Sequence, residues 1–556
     1  MSTGLSLSRL RPYVWRGKKY LVLAVAASLL SSLANSLTPL VAKEAVDAVV
    51  SRNLQGLLLP VVAIVVLACV RGAFSFVQRV NARRLAEMVS LDLRVDVYRK
   101  LRELPLTYLY EEGAGRLVAR VTGDVEEIKR VFMFGLSALS SNVFILILAL
   151  AAMVSINPLL AAFSLSILLP LVVVLRVFVK KIRARFREAR EEYGRMSSTL
   201  REALVGIETL KALGAERFAE GRFARHNSSY RDRMVEVGRL RAIVWPTLTA
   251  LTNLALLVVY WLGGLGIVEE TVSVGDLIAL AMYVSMISWP ISSLGLFVVV
   301  AETARVAASR VFEILDAEVK VKEAPDAKPL NIERGEVVFE DVWFSYDGKT
   351  WVLRGLNLKV KPGEFVAITG PPGSGKSTLA LLLLRFFDPQ RGRILIDGVD
   401  IRKVTLDSLR RQVVVVHQDI YLFPDTIRNN IAYAKPDASP EEVVKAAKLA
   451  RIHDFVSSLP EGYDTPVGER GVTLSGGQRQ RMALARALLA NPRIILLDDT
   501  TSEVDAETEK AIWDALTRFF KGKTLIVITQ RPSTMALADR IVVIEDGRVV
   551  EERLVG

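Results

Sequence analysis

From Val131 to Leu175 the chain runs for 45 residues without one charged side chain. A bilayer's hydrocarbon core takes about 20 apolar residues as a helix. The run is therefore long enough for two spans, and Asn157-Pro158 within it is a turn signal that divides it. Tyr20 to Ala42 is a further uncharged run of 23 residues. A cleaved signal sequence would be shorter and would end at small residues, so this run reads as a helix that stays. Leu54 opens another apolar stretch, and Ala242–Val268 and Leu277–Ala301 supply two more. The expected spans are 19–42, 54–78, 131–156, 159–179, 242–268 and 274–301, within a membrane domain covering residues 1–320.

The chain is 51% hydrophobic yet 24% charged, so apolar and polar residues must be segregated. Its net charge of +12 points to basic cytoplasmic loops rather than to nucleic acid, because the arginines cluster at the membrane exits. The connections after the second and fourth spans hold most of them, including Lys180, Lys181, Arg185, Arg187 and Arg190. The other turns hold Arg52 and otherwise acids such as Glu269, Glu270 and Asp276. Both termini are therefore expected in the cytoplasm, with the chain multi-pass in the cell membrane and in contact with lipid. The single cysteine, Cys69, leaves no intrachain disulfide, and no metal cluster is expected.

Both cytoplasmic connections carry a periodic apolar and charged pattern, which predicts that the membrane helices continue beyond the bilayer. At 1.5 Å per residue, about 30 residues of helix reach about 45 Å, far enough to meet a cytoplasmic domain. Arg71 sits just past the middle of the second span, where a charge usually faces protein or water, and Glu302 and Arg305 sit at the inner end of the sixth. Arg305 has Glu302 one turn away, so pairing and a transport role both stand open. Asn35 and Asn253 fit a cavity lining or ordinary packing.

Pro325 and Pro329 lie in a linker over 321–333, after which short strands alternate with helices through 334–556. Glu336–Phe344 and Leu356–Val360 read as strands. Glu364–Thr369 is an apolar strand leading into Gly370-Pro371-Pro372-Gly373-Ser374-Gly375-Lys376-Ser377-Thr378, with a helix expected over Thr378–Phe387. Strand, glycine loop and helix in that order make a P-loop: backbone amides cradle phosphates, Lys376 reaches the β/γ-phosphates and Ser377 ligates Mg2+. Further on, Leu474-Ser475-Gly476-Gly477-Gln478 precedes a helical run, where side-chain-free backbone and the helix dipole favour a phosphate. Ile494–Leu497 is a buried strand ending in Asp498 and Asp499.

These motifs, in this order and behind a membrane region, resemble an ABC (ATP-binding cassette) exporter half-transporter. The implied fold is an all-α membrane domain of six long helices followed by an α/β P-loop ATPase. The resemblance implies coupling helices near 104–112 and 213–222, ATP and Mg2+ as ligands, and Tyr346 stacking on adenine (a core tyrosine being the alternative). It further implies Gln418 sensing the γ-phosphate and metal, Asp498 with Ser377 and Gln418 on the Mg2+ side, and a D-loop ending at Asp505. The segment 465–471 resembles one that contacts coupling helices in exporters. Two ATPase domains of this family face head to tail, so Leu474–Gln478 should contact ATP held by a second half-transporter.

Two positions depart from the family. Asp499 stands where active members carry a catalytic glutamate, and one methylene less withdraws the carboxylate by about 1.5 Å, where an offset near 1 Å costs of order a hundredfold in rate. Gln530 stands where the family has its switch histidine, and glutamine carries no charge and exchanges no proton. Both at one site, beside an intact P-loop, look like the degenerate subunit of a heterodimeric multidrug-type exporter whose partner supplies the catalytic glutamate and switch histidine. A small-molecule, lipid or peptide substrate is implied. A homodimer with two weak sites and an ATP-gated regulator or channel are the alternatives.

Overall fold

The computed structural model describes residues 7–468, 471 and 473–555. The chain divides into two units, one of residues up to 317 without 103–112, the other of 103–112 with 318 onward. The first unit is helical: α1 (Arg11–Arg16), α2 (Lys18–Val50), α3 (Leu54–Glu103), then, beyond α4 (Leu106–Glu112) of the second unit, α5 (Ala114–Ala119), α6 (Val125–Phe134), α7 (Ser140–Ile156), α8 (Pro158–Val205), α9 (Ile207–Ala212), α10 (Glu216–Val268) and α11 (Val274–Asp316). Among the described residues, α2, α3 and α10 are long and apolar enough to cross a membrane, with shorter apolar stretches at Ser140–Ile156 and Val274–Pro290. Helix α8 has 48 residues and α10 has 53. At 1.5 Å per residue each exceeds about 70 Å, more than twice a hydrocarbon core.

Local chemistry sets the joints. Asn157 leaves the helical region and its Oδ1 accepts from the amides of Leu159 and Leu160, both at 3.1 Å, while Pro158 fills the first position of α8. Ser273 caps α11 through a reciprocal box with Asp276, and Asp47 of α2 accepts from Ser273 Oγ (3.0 Å) and the Gly275 amide (2.9 Å). A Cβ at Gly275 would lie 2.5 Å from the Lys43 carbonyl oxygen, so the close approach of α2 and α11 needs glycine.

Three features differ from expectation. The stretch ahead of α7 is not one plain helix: π-helical turns at Arg120–Asp124 and Gly135–Leu139 flank α6. Each sits at a tertiary contact, the first where Arg310 Nε reaches Asp124 Oδ2 at 2.8 Å, the second where Gly135 meets the Phe297 ring. At the second cytoplasmic tip the separate short helix is α9, Ile207–Ala212, rather than 213–222; Gly214, with φ 61°, turns the chain, and residue 216 already begins α10. The helix after the P-loop ends at Leu383, because Arg385 turns left-handed (φ 50°) and its guanidinium bonds Asp388 and the Lys322 carbonyl.

The second unit holds two sheets. An antiparallel sheet of order β2-β1-β4-β5 uses β1 (Val337–Phe344), β2 (Leu353–Val360), β4 (Arg391–Ile396) and β5 (Val399–Asp400). The larger sheet, order β10-β9-β3-β8-β7-β6, uses β3 (Phe365–Thr369), β6 (Val413–Val416), β7 (Ile494–Asp498), β8 (Thr524–Ile528), β9 (Arg540–Glu545) and β10 (Arg548–Leu554), with only the β10/β9 pair antiparallel. Its central strands are buried along their length, as a parallel sheet requires. Helices α12 (Lys376–Leu383), α13 (Leu406–Gln412), α14 (Ile427–Ala432), α15 (Pro440–Leu449), α16 (His453–Ser458), α17 (Gly476–Leu489), α18 (Ala506–Phe519) and α19 (Pro532–Met535) complete it.

Asp397, in the turn between β4 and β5, gathers the chain entering β1. Its two carboxylate oxygens accept the amides of Glu333, Arg334, Gly335 and Glu336 at 2.8 to 2.9 Å. Burial acts to raise its pKa, but these donors outweigh it and hold the pKa below the ordinary aspartate value. A folded-state pKa below the unfolded one means that the stabilisation is complete above about pH 4 and is lost as pH falls through the folded value. Asp397→Ala should lower stability by about 1–3 kcal/mol at pH 7. The gap from wild type should narrow in melts as pH falls below the ordinary aspartate value and through the lower folded one, and a gap independent of pH would refute the assignment.

Candidate nucleotide site

At the end of β3 the chain turns through 370–375 into α12. Gly370 has φ 146°, and a Cβ there would lie 2.0 Å from the Ile544 carbonyl oxygen of β9, so only glycine fits. Gly375 caps α12 from the left-handed region, φ 99°. A glycine loop entering a helix N-terminus is a ready phosphate site. Lys376 Nζ lies across the loop, donating to the carbonyls of Gly370 (2.8 Å) and Pro371 (2.7 Å) and to Ser374 Oγ (3.3 Å). Burial, its main influence, lowers the lysine pKa, against an upward pull from Asp498 and Asp499.

Asp498 closes β7 and is 4% exposed. Burial raises its pKa; a hydrogen bond with the Ser377 side chain acts in the opposite sense, and so do His417 and Lys376. Asp499 follows in the left-handed region, φ 50°, its amide donating to the Ile528 carbonyl at 3.0 Å. Burial raises its pKa too, countered by Arg531 and Lys376. Gln530, just past β8, is exposed, and its Nε2 reaches the Gly370 carbonyl at 3.4 Å, the carbonyl that Lys376 also meets. Gln418 is exposed one residue past His417, whose pKa burial lowers. Thus Gly370, Lys376, Ser377, Asp498, Asp499 and Gln530 share one edge of the sheet.

Tyr346 stands beside this loop. Its hydroxyl is 3.1 Å from Thr378 Oγ1, and its ring meets Phe344 and Phe387 edge-on, at centroid distances of 4.8 and 5.5 Å. It remains 42% exposed, an anchored aromatic with surface left for a planar partner. Pro371, Pro372 and Gly373 form the exposed crest of the loop, while Ser374 and Thr378 are buried.

The segment 474–478 lies elsewhere. Among the described residues no hydrogen bond joins it to the P-loop. Ser475 Oγ accepts the Gln478 amide (3.3 Å) and Gln478 Oε1 accepts the Ser475 amide (2.9 Å), a capping box at the start of α17. Leu474 is buried and Ser475 exposed. Gly476 faces the Glu503 side chain, and a Cβ on Gly477 would lie 2.8 Å from the Glu503 carbonyl oxygen. Asp505 caps α18, accepting the Thr508 amide at 2.9 Å, which holds its pKa low. Within 465–471, residues 469 and 470 lie outside the described residues.

A network that sequence reasoning missed ties these parts together. Gln480 Nε2 donates to Ser502 Oγ (3.0 Å), and Gln480 Oε1 accepts the Glu503 amide (3.0 Å). Ser502 Oγ donates to the Asp499 carbonyl (3.0 Å). Arg531 joins its Nη2 to the Ser502 carbonyl (2.7 Å) and its Nη1 to Glu509, which is 5% exposed and also accepts from Thr501 and Thr534. The only sequence signal was an arginine next to Gln530, and nothing local names its partner.

Arg531→Ala strands the buried Glu509 carboxylate, so stability should fall by about 3 kcal/mol in denaturation of the purified chain. Adding Glu509→Gln should recover part of the loss. Equal stability of Arg531→Ala and wild type would show that the pair holds nothing.

Residues 21–291 match the family described as the ABC transporter transmembrane region, and 353–502 match that described as ABC transporter. A multidrug efflux ATP-binding/permease protein of Mycobacterium bovis (strain BCG / Pasteur 1173P2) is 34% identical over 98% of this chain. The chain spans about half of that relative's length, 45%. The uncharacterized ABC transporter ATP-binding protein YknU of Bacillus subtilis (strain 168) is 32% identical over 98% of this chain and 94% of its own. The structure of a bacterial Atm1-family ABC exporter with ATP bound superposes with a TM-score of 0.81 at 32% identity, covering 98% of this chain and 95% of that one. With its membrane-embedded helical region and its ATP-binding domain in one polypeptide, the chain belongs to the ABC transporters.

Proposed function

We propose that this chain is one half of an ATP-driven exporter of hydrophobic or amphipathic compounds, and that its own P-loop site binds ATP and hydrolyses it slowly. The observation that carries this is the convergence of both departures on one point: Gln530 meets the Gly370 carbonyl beside Lys376, and Asp499 lies within the electrostatic reach of the same lysine. At this site Lys376 and the loop amides hold phosphate charge, Tyr346 offers the base a face, and Gln530 donates a hydrogen bond without a proton to give up. Asp499, one methylene short, leaves the attacking water poorly held. The oxygen donors of Asp498, Ser377 and Gln418 suit Mg2+, which would neutralise phosphate charge when bound with the nucleotide.

The signature segment is intact and exposed at Ser475, which supports a role against ATP held by a second half-transporter carrying the catalytic glutamate and switch histidine. Relatives named as multidrug efflux and as exporter support outward transport. In this arrangement six spans run through α2, α3, α6–α7, α8, α10 and α11. ATP-driven closure of the ATPase domains reaches them through the tips at α4 and α9.

ATPase rates of the chain alone, and with its partner, test the reading. Activity should require the partner and vanish when the partner's catalytic glutamate becomes glutamine. Asp499→Glu with Gln530→His should raise turnover at this chain's own site by about tenfold to a hundredfold. Brisk hydrolysis by the unaltered chain alone would make Asp499 a working catalytic carboxylate and overturn the slow-site reading.

A further inference from the structure

The membrane unit contains a cavity of about 560 Å³ among α2, α3, α10 and α11, lined by Asn35, Arg71, Tyr260, Met282, Ser285 and Met286 with a threonine and smaller apolar neighbours. Arg71 is the charged group on this lining. Its Nη1 donates to Asn35 Oδ1 at 2.6 Å, and Asn35 Nδ2 lies 3.2 Å from Met286 Sδ. Asn35 sits inside the uncharged run Tyr20–Ala42, so the hydrogen bond pins the guanidinium at the level of an apolar stretch. A guanidinium has five N–H donors, and one neutral amide oxygen uses a single one. Among the described residues no carboxylate pairs with Arg71, whereas Arg305, at the inner end of the last span, pairs with Glu302 at 3.1 Å and Lys43, at the end of the first, with Asp276 at 2.6 Å.

A cation held at such depth without a carboxylate is costly unless it meets water or an anion. The cavity supplies that room. Its walls divide the work: Arg71 and Asn35 at one side present N–H donors in a planar fork, while Tyr260, Met282 and Met286 present adaptable apolar surface. Methionine tolerates ligands of varied shape, whereas the fork selects for charge and planarity.

We propose that this cavity is a binding site for amphipathic anions, the carboxylate or phosphate head on Arg71 beside Asn35 and the apolar body against Tyr260 and the methionines. The proposal rests on the export reading for its purpose, since it names the class of compound that the chain would carry. It also predicts a charge preference that a cavity of purely apolar selectivity would lack.

The test uses the full-length chain, assembled with its partner in nanodiscs, and two probes with one body: 1-pyrenebutanoate and 4-(1-pyrenyl)butyl-trimethylammonium. Tryptophan-to-pyrene energy transfer, corrected against empty nanodiscs, reads binding. The anion should bind about tenfold more tightly than the cation, the scale of one charge-assisted hydrogen bond. Arg71→Gln should abolish that preference and Arg71→Lys should keep most of it, with basal ATP hydrolysis unchanged in both. A wild-type complex without head-group preference overturns the proposal, as does a preference that survives Arg71→Gln. ATP-driven accumulation of 1-pyrenebutanoate in vesicles separates the two readings. Accumulation without dependence on Arg71 sinks the anion site and leaves export standing. Preference at Arg71 without accumulation keeps the site and sinks export of this class.

Discussion

Parallel pairing of β3, β8, β7 and β6 is the constraint on which the nucleotide site depends. Parallel strands end at the same edge, and ligands of such sheets bind beyond those carboxyl ends. The register places Asp498 opposite Ile528 and Ile368 opposite Ile528, so the P-loop, the two aspartates and Gln530 leave the sheet side by side. Val416 pairs with Leu497, which brings His417 and Gln418 to the same edge from the far side. Each motif is contributed by a different stretch of chain, and hydrophobic burial of the strands holds the register. A slip of one residue in β7 would turn Asp498 to the opposite face and bury its carboxylate in the core.

The membrane unit obeys a different economy of charge. Near its spans Lys43 and Arg305 pair with acids, and the helix joints at Asn157 and Ser273 are closed by side-chain caps. Asp47 shows how tightly the two combine: one carboxylate holds the N-terminus of α11 through a hydroxyl and an amide, while neighbouring Lys43 meets Asp276 in the same turn. Against that background Arg71 stands apart, tied to an amide and facing a cavity. The contrast gives its environment meaning, because the same unit shows how an arginine that only needs a partner is treated at Arg305.

Much of this was legible in the sequence wherever the signal is local. Uncharged runs, the strand leading into Gly370 and the paired aspartates after an apolar strand each carry their physics in consecutive residues. Asn157-Pro158 gave a turn for the same reason, since an amide cap and a proline at the next position need no distant partner. What escaped was set by contacts across the chain. The π turn at Arg120–Asp124 answers to Arg310, far along the sequence, and the shift of the short helix to Ile207–Ala212 follows from a glycine turn whose register no periodicity reveals. Gln478 also closes a capping box with Ser475, a local role that its place in the glycine motif did not single out. Gly477 likewise owes part of its identity to the Glu503 backbone packed against α17. The Gln480–Ser502–Arg531–Glu509 network joins four separated segments, so single-sequence pattern had nothing to register.

Position 499 shows how conformation and chemistry separate at one residue. Its left-handed backbone is one that aspartate adopts more readily than most side chains. That conformation is held from outside the side chain, by the amide bond to Ile528 and by Ser502 on the carbonyl, itself fixed by Gln480. The backbone therefore does not need the carboxylate, and the length of the side chain is free to vary without moving the turn. Arg531 then acts on Asp499 through its field, while its hydrogen bonds go to Glu509 and Ser502. A site built this way keeps its phosphate-binding frame whatever acid stands at 499. On the slow-site proposal, reach of the carboxylate, rather than integrity of the fold, is what would separate binding ATP from turning it over.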